Sequence, residues 1–513
     1  MATDSAFTHG ASVVLPTPAV VILFHCENQL IISLEVCCLL RELVMGKSSD
    51  MHMNKLCEWS MHERVAKKIE MTCFSQFLKV KECFSKGNFH LPLCPLEALL
   101  EVYDKEKCCF RLGKEVKDFL LDMRLEDIYF ITGLPIDGIQ VSGYVTYEAV
   151  DLVMKHLNLK DYQARDLLRK GTGKGAISIN KLPLYFKELP SDASDSDVEA
   201  HAKAFIMYLF GTTLLPNRKR TIMPDFLEFL DLQKINKYAW GAVVLAHIKN
   251  ALGNDKKSIY CFTWGLIVFA LERFPFIRNA FVLPPIQPVF LTWIDVVYTY
   301  FKNKHKKTKV EDYIKLFSRM KEEDVTWNPY GRLALSQDDV NQLRVKYVMV
   351  PIICYQTVSL NRPDICFKQL DLEVVNVFAI RKMNIIQPNK YKDINWCLYE
   401  GPRKAYNYPE LNGMWTNRFS YLVTNLPNGS FERSSSIDDD THLIKYRKTA
   451  INRKRKRPEY EYQVKKMIIH GVKKLKNSTC SSDAIREVLG PESGFRILEL
   501  GHPLLESLEE RLV

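Results

Sequence analysis

The hydrophobic pattern predicts a mainly α protein, a large helical body followed by a flexible basic C-terminal tail. Three observations carry this. Residues 237–252 place Trp240, Val243, Val244, Ile248, Ala251 and Leu252 at three- and four-residue steps, and Gly253 follows as a stop. Residues 259–274 are apolar nearly all round, as expected of a helix buried on every side. Positive charge is gathered in one place: residues 441–476 hold thirteen Lys and Arg against Glu459 and Glu461, so 13 − 2 = +11, the formal net charge of the whole 513-residue chain. The rest sums to zero, and a neutral body with one basic segment suits contact with a polyanion or an import receptor.

Taken from the N-terminus, residues 19–24 are apolar, but no basic residue precedes them. His25, Glu27, Asn28 and Gln29 interrupt the run well before the ~18 apolar residues a membrane span needs, so neither a signal peptide nor a span is expected. Residues 30–45, broken only by Ser33, Glu35, Arg41 and Glu42, read as a helix packed into the body. In residues 125–138, Leu125, Ile128 and Tyr129 share a helical face, with Glu126 and Asp127 in the first turn, where carboxylates meet the positive end of the helix dipole. Gly133 stands where a left-handed residue ends a helix, Leu134 can fold back on Ile128 or Tyr129, and Pro135 forbids continuation; Ile136, Asp137 and Gly138 then make a turn. Residues 281–288 are a proline-punctuated loop, 293–301 another helix, and 302–309 a lysine-rich, solvated helix end. Ser434 to Ser436 and Asp438 to Asp440 form a hinge, and short helices are expected over 484–489 and 503–512.

Fourteen cysteines invite a disulfide or zinc reading, yet Cys37-Cys38 and Cys108-Cys109 are adjacent pairs and no C-x-x-C occurs, so reduced, mostly buried thiols are expected. No cofactor is called for. Gly171 to Gly175 lacks the G-x-x-x-x-G-K-[ST] spacing of a phosphate loop and reads as a flexible turn. His62-Glu63 lacks the second histidine of H-E-x-x-H, there is no Gly-x-Ser-x-Gly elbow, and His247 beside an apolar face reads as a hydrogen-bonded boundary residue. The 60 Asp and Glu allow too many combinations to single out a transposase-like acidic site.

Residues 125–138 resemble the hallmark of the plant mobile domain, a family also labelled aminotransferase-like and found in transposable elements and in cellular proteins. The likeness continues through Leu182, Phe186, Pro190 and the helix from His201 to Gly211, then a Trp-Gly helix at Trp240-Gly241, then Glu272-Arg273-Phe274-Pro275, and last Val350-Pro351 with Leu360-Asn361-Arg362-Pro363-Asp364. It covers roughly residues 85–400, about two thirds of the chain, and implies an N-terminal helical extension (1–84), the family domain (85–400), a linker (401–440), the basic segment (441–476) and C-terminal short helices (477–513). One departure stands out: family members place Thr before Leu-Glu-Asp as the helix cap, and here Arg124 holds that place, leaving Asp122 to cap a turn earlier.

Among the motif residues, Trp240 reads as core, Gly241 as close helix packing, and Arg273 as a helix C-terminal cation or a buried ion pair; Gly133, Leu134, Pro135, Gly138, Pro275 and Pro363 read as structural. Arg362, in a turn before proline, is either a capping donor or a recognition group. Pyridoxal-phosphate chemistry, suggested by the family label, would need a Schiff-base lysine and a phosphate cradle, and no motif supplies them. Some relatives are fused to or work with metal-dependent serine/threonine phosphatases, but this chain has no Gly-Asp dipeptide and no Gly-Asn-His-Glu, so that module is absent. Arg453, Lys454, Arg455, Lys456 and Arg457, ahead of Pro458, form a nuclear-import motif or a polyanion contact.

The expectation is therefore a non-enzymatic nuclear interaction module. Its partners would be a nuclear protein, with a serine/threonine phosphatase as candidate, and an import receptor, with no membrane. By resemblance to Maintenance of Meristems-like members, its process would be transcriptional control, transposon silencing and meristem maintenance. The alternative is a transposon-derived nucleic-acid-binding protein that uses the basic tail, with Tyr460 and Tyr462 as stacking candidates.

Overall fold

A computed structural model describes residues 24–26, 29–31, 56, 59–80, 93–141, 148–169, 175–253, 259–278, 287–294, 308–355, 357–370 and 408–423. The chain divides into two compact units, one of Met1–Leu40 with Arg447–Val513, the other Arg41–Tyr446. In the first unit, β1 (Phe24–Cys26) pairs antiparallel with β2 (Gln29–Ile31), Phe24 opposite Ile31. The helix expected over 30–45 is thus a strand at its start, where two strands two residues apart satisfy each other's backbone groups; the rest of that stretch lies outside the described residues. So do the hinge, the basic segment and both C-terminal helices.

The second unit is mainly helical, with small antiparallel sheets. It opens with α1 (Glu63–Glu70), whose Val65 and Ile69 face the core, and α2 (Leu93–Glu101). A three-stranded sheet follows, β3 (Tyr103–Asp104), β4 (Cys109–Leu112) and β5 (Phe119–Leu121), with Phe110 opposite Leu121. Next come α3 (Leu125–Thr132), α4 (Ala149–Leu157) and α5 (Asp161–Leu167). Strands β6 (Leu168–Arg169) and β7 (Ala176–Ser178) run antiparallel on either side of the glycine-rich stretch, whose residues 170–174 lie outside the described set. After α6 (Leu182–Phe186) comes α7 (Asp195–Leu209), which starts at a reciprocal cap: Ser194 Oγ accepts from Asp197 N at 3.2 Å, and the Asp197 carboxylate accepts from Ser194 N at 2.9 Å. It runs into a π-helical turn, Phe210–Leu214, then β8 (Thr221–Ile222), which completes the β6–β7 sheet.

The centre is formed by α8 (Trp240–Gly253) and α9 (Thr263–Arg273); every residue of α9 is buried, as its uniform apolarity predicts. Then follow α10 (Pro275–Arg278), a helical stretch over 289–294 that places Trp293 in the core, α11 (Val310–Arg319) and α12 (Gln337–Leu343). Residues 295–301 of the helix expected over 293–301 are not described, nor is the lysine-rich stretch apart from its end, where Lys309 precedes α11. The hairpin β9 (Pro351–Cys354) and β10 (Thr357–Leu360) packs on α8, and α13 (Tyr408–Thr416) packs on β9.

One apolar core joins these elements, with Trp240, Trp264, Trp293 and Trp415 among its largest buried side chains. Trp59, Phe74 and Phe77, in the stretch read as an N-terminal extension, belong to the same core, as does Trp415, in the stretch read as linker. Cys109, Cys261, Cys354 and Cys366 are buried free thiols, and Cys73, Cys94 and Cys108 half-buried ones. Burial pushes the thiols of Cys354 and Cys366 up to about 12. Among the described residues no helix is long and apolar enough to cross a membrane, and no cluster of His, Cys, Asp or Glu could hold a metal ion.

Candidate functional site

The charged residues of residues 122–127 lead into the interior. Helix α3 is buried along its full length, so the carboxylates in its first turn are drawn out of water and need partners there. Asp127 is fully buried and accepts three hydrogen bonds: from Arg273 Nη2 at 2.6 Å, from the Tyr330 hydroxyl at 3.0 Å, and from the backbone N–H of Arg124 at 2.9 Å. The last is the helix cap. The Arg124 side chain, having no acceptor, caps nothing itself and instead donates to the carbonyl of Lys346 at 3.1 Å, while Lys346 Nζ returns to Glu126 at 2.9 Å. Asp122, expected to cap a turn earlier, is buried against Lys249 at 2.6 and 2.8 Å, and its backbone is bracketed by Gln369. Asp122 pairs inward rather than capping because a carboxylate inside the core satisfies a buried ammonium, whereas a cap need only satisfy one N–H.

Arg273 closes α9 with its guanidinium on Asp127 and on the Trp327 carbonyl, which ties α9 to α3 and to the 326–330 turn. Next to it Glu272 accepts from Trp293 Nε1 at 2.8 Å and from both terminal nitrogens of Arg332 at 2.9 Å. Burial, then the nearby Asp127 charge, pushes the Tyr330 hydroxyl well above its ordinary value, so it stays a hydrogen-bond donor. Pro275 follows as the first residue of α10.

A second assembly sits at the other end of α3. Gly133 has φ +69° and returns its N–H to Tyr129 at 2.7 Å, the left-handed helix end its sequence predicts. Leu134 is buried, and the Pro135 carbonyl accepts from Gly241 N at 2.7 Å. A Cβ on Gly241 would stand 2.6 Å from Ile136 Cγ2 and 3.1 Å from the carbonyls of Leu134 and Pro135, so this pairing of motif blocks needs glycine. The neighbouring Trp240 is buried, its indole N–H on the Ile235 carbonyl at 2.8 Å. Gln342 Oε1 accepts from Ile136 N and Asp137 N, and the Gly138 carbonyl accepts from Trp415 Nε1 at 2.9 Å. Arg362 pairs with Asp364 two residues on, at 2.6 and 2.7 Å, in a local fork; Pro363 beside it is buried. His247 Nε2 lies 3.1 Å from the Pro216 carbonyl, and burial lowers its pKa. Arg453, Lys454, Arg455, Lys456 and Arg457 lie outside the described residues.

Sequence reasoning did not find Asp122, Glu126, Lys249, Lys346, Glu272, Tyr330 or Trp415 as members of these assemblies. Their partners stand 21 to 277 residues away in the chain, and only the strip Leu-Glu-Asp was marked by its spacing.

What fold and motifs define is a helical domain whose charged motif residues hold its own elements together. The chain belongs to the plant mobile domain family, whose sequence profile matches residues 121–420, from the residue before Asp122 into the segment that carries Trp415. It is similar to three Arabidopsis thaliana proteins: MAIN-LIKE 2, 27% identical over 63% of this chain and 47% of that protein; MAIN-LIKE 1, 24% identical over 62% and 60%; and MAINTENANCE OF MERISTEMS, 25% identical over 62% and 64%. A serine/threonine-protein phosphatase 7 long form homolog of the same plant is 24% identical over 64% of this chain and 25% of its own length. The match thus spans about half of MAIN-LIKE 2 and three fifths of MAIN-LIKE 1. No solved structure matches the chain.

Proposed function

We propose that this protein is a non-enzymatic nuclear interaction module: the helical body docks a protein partner, and the basic segment 441–476 serves import and polyanion contact. The observation that carries the reading is the inward placement of the motif charges. Asp122, Glu126, Asp127 and Glu272 each pair with a cation of the same body, an arrangement that supports a shape-fixing role for them over one as acid or base. Kinship to MAINTENANCE OF MERISTEMS and its MAIN-LIKE relatives supports a role in transcriptional control, transposon silencing and meristem maintenance. The partner we favour is a serine/threonine phosphatase, because the same domain matches a quarter of a phosphatase long-form homolog, so it occurs as one part of a longer chain.

A second reading rests on the charge of the tail, which equals that of the whole chain: a nucleic-acid-binding protein held by phosphate contacts. One experiment separates the two. The tagged chain, and a variant with alanine at Arg453, Lys454, Arg455, Lys456 and Arg457 sent to the nucleus by a foreign signal, are purified from nuclease-treated nuclear extract. Recovery of the same protein partner by both supports docking by the body. Recovery that collapses with nuclease or in the variant supports nucleic acid, and binding should then weaken with salt at a slope of about −0.9 per phosphate neutralised.

A further inference from the structure

Thirty-seven residues, 371–407, separate Leu370 from Tyr408, after which the chain returns to the turn at Ile136–Gly138. The returning segment makes contacts of the kind by which peptides are recognised. Leu411, Met414 and Trp415, at i, i+3 and i+4 on α13, are buried at 0%, 3% and 2% exposure. The Trp415 indole donates to the Gly138 carbonyl, and Arg418, three residues on, places its guanidinium on Asp137 at 2.6 Å. Beyond it Leu422 bridges Val348 antiparallel, with Met349 N donating to Tyr421 O at 2.9 Å and Val423 N to Tyr347 O at 3.0 Å. This is a helix laid in a groove, a mode that proteins use for foreign peptides, followed by a single antiparallel bridge between backbones.

The receiving side is held by bonds that do not involve the segment. Gln342 fixes the N–H groups of Ile136 and Asp137, Ile139 N donates to the Lys237 carbonyl at 2.8 Å, and Asn361 Nδ2 holds the Val348 carbonyl at 2.7 Å. The groove is therefore shaped before it is filled. Residues 371–407 lie between the two in sequence, and over such a separation the entropy of closing a loop grows only slowly.

We propose that the groove bounded by residues 136–139, residues 347–349 and β9 is a peptide-recognition site that the chain fills in cis with residues 408–423. A partner segment of the same chemistry would displace it: apolar anchors at i, i+3 and i+4 ending in Trp, Arg three residues later, and an extended apolar end. Displacement would free residues 408–423 from the groove, upstream in sequence of the basic segment that begins at Thr441. This goes beyond the proposed nuclear role and is tested in solution without it.

The test uses the full chain with a protease site placed within 371–407, cut after purification, and a fluorescent peptide of residues 408–423. The cut chain should keep its C-terminal piece at micromolar concentration and lose it on dilution, and the peptide should enter saturably. A Trp415→Ala peptide should bind at least about tenfold more weakly, as for a buried aromatic anchor. An Arg418→Asp peptide should fail on the natural groove and bind a cut Asp137→Arg chain, which separates recognition from folding. A C-terminal piece that leaves only as the body unfolds, a chain that precipitates on cutting, or entry indifferent to Trp415 and to the charge exchange would overturn the proposal.

Discussion

Asp122 and Glu228 each accept from a lysine, Lys249 at 2.6 Å and Lys155 at 3.1 Å, yet the two carboxyls are displaced in opposite directions. Asp122 is 1% exposed, and burial raises its pKa even though Lys249 opposes the shift. Glu228 keeps about a quarter of its side chain in water; the hydrogen bond from His156 at 2.8 Å, with Lys155 adding to it, outweighs burial and takes it down to about 2. The same kind of pair thus leaves the charged carboxylate disfavoured in the interior and favoured at the rim. In a low-dielectric core the loss of hydration competes with the whole Coulombic gain, whereas a partly wet pair gives up little hydration. The ion pairs around α3 are on this account a device for fixing the position of elements, and each should be expensive to break and cheap to replace.

The largest expected effect follows from breaking one. Asp127→Ala strands the Arg273 guanidinium, the Tyr330 hydroxyl and the Arg124 N–H in a core that excludes water. It should cost about 3–5 kcal/mol, read as a shift of the urea midpoint followed by tryptophan fluorescence. A loss below about 1 kcal/mol would mean that the interior is wetter than the burial of Asp127 indicates and would erase the contrast with Glu228. Replacement is the sharper half of the comparison. Lys249→Met alone leaves the Asp122 carboxyl buried without its cation and should cost nearly as much, while Asp122→Leu with Lys249→Met should recover most of it and can exceed the natural stability by about 1–4 kcal/mol. If the double variant is no better than the single ones, the pair contributes more than position, and the Gln369 contacts to the Asp122 backbone become the next suspect.

Much of this body could be read from the sequence, and the part that could not is the part these variants probe. Helices α8 and α9 followed from periodicity and uniform apolarity, and the end of α3 at Gly133 from the need for a left-handed residue before proline. Strands such as β4 and β9 are four residues long and buried on both faces or nearly so, too short for alternation to mark them. The ion pairs were illegible for a different reason. Lys249 is 127 residues from Asp122 and Lys346 is 220 from Glu126, and 60 acidic with 71 basic residues leave pairing undetermined until the core is built. Even Arg273, expected as a helix-end cation or a buried ion pair, could not name Asp127 from its own surroundings.

Packing between motif blocks gives an intermediate effect. Gly241→Ala places a methyl group 2.6 Å from Ile136 Cγ2 with two carbonyls at 3.1 Å, and should destabilise by about 1–3 kcal/mol, the usual range for overpacking. Because the nearest side-chain obstacle is a branch of Ile136, adding Ile136→Ala should return part of the loss if that branch is the obstacle, and none if the carbonyls are. Thermal unfolding of the two variants decides between them.

The smallest effect belongs to the rim. Glu228→Gln removes the acceptor charge from His156 and Lys155 but leaves the site partly hydrated, so near pH 7 the loss should be only about 0.5–1 kcal/mol. Its pH dependence is the stronger signature. Folding lowers this carboxyl from 4.5 to about 2, so its contribution is complete above pH 4.5 and disappears as pH falls toward 2, where the folded form also takes up the proton. Denaturation of the natural chain and of the Gln variant, compared at pH 7, 4 and 2.5, should show the two stabilities converging on acidification. A difference that stays constant across that range would mean that the glutamate acts through its shape and hydrogen bonds rather than its charge, and the rim would then resemble the interior after all.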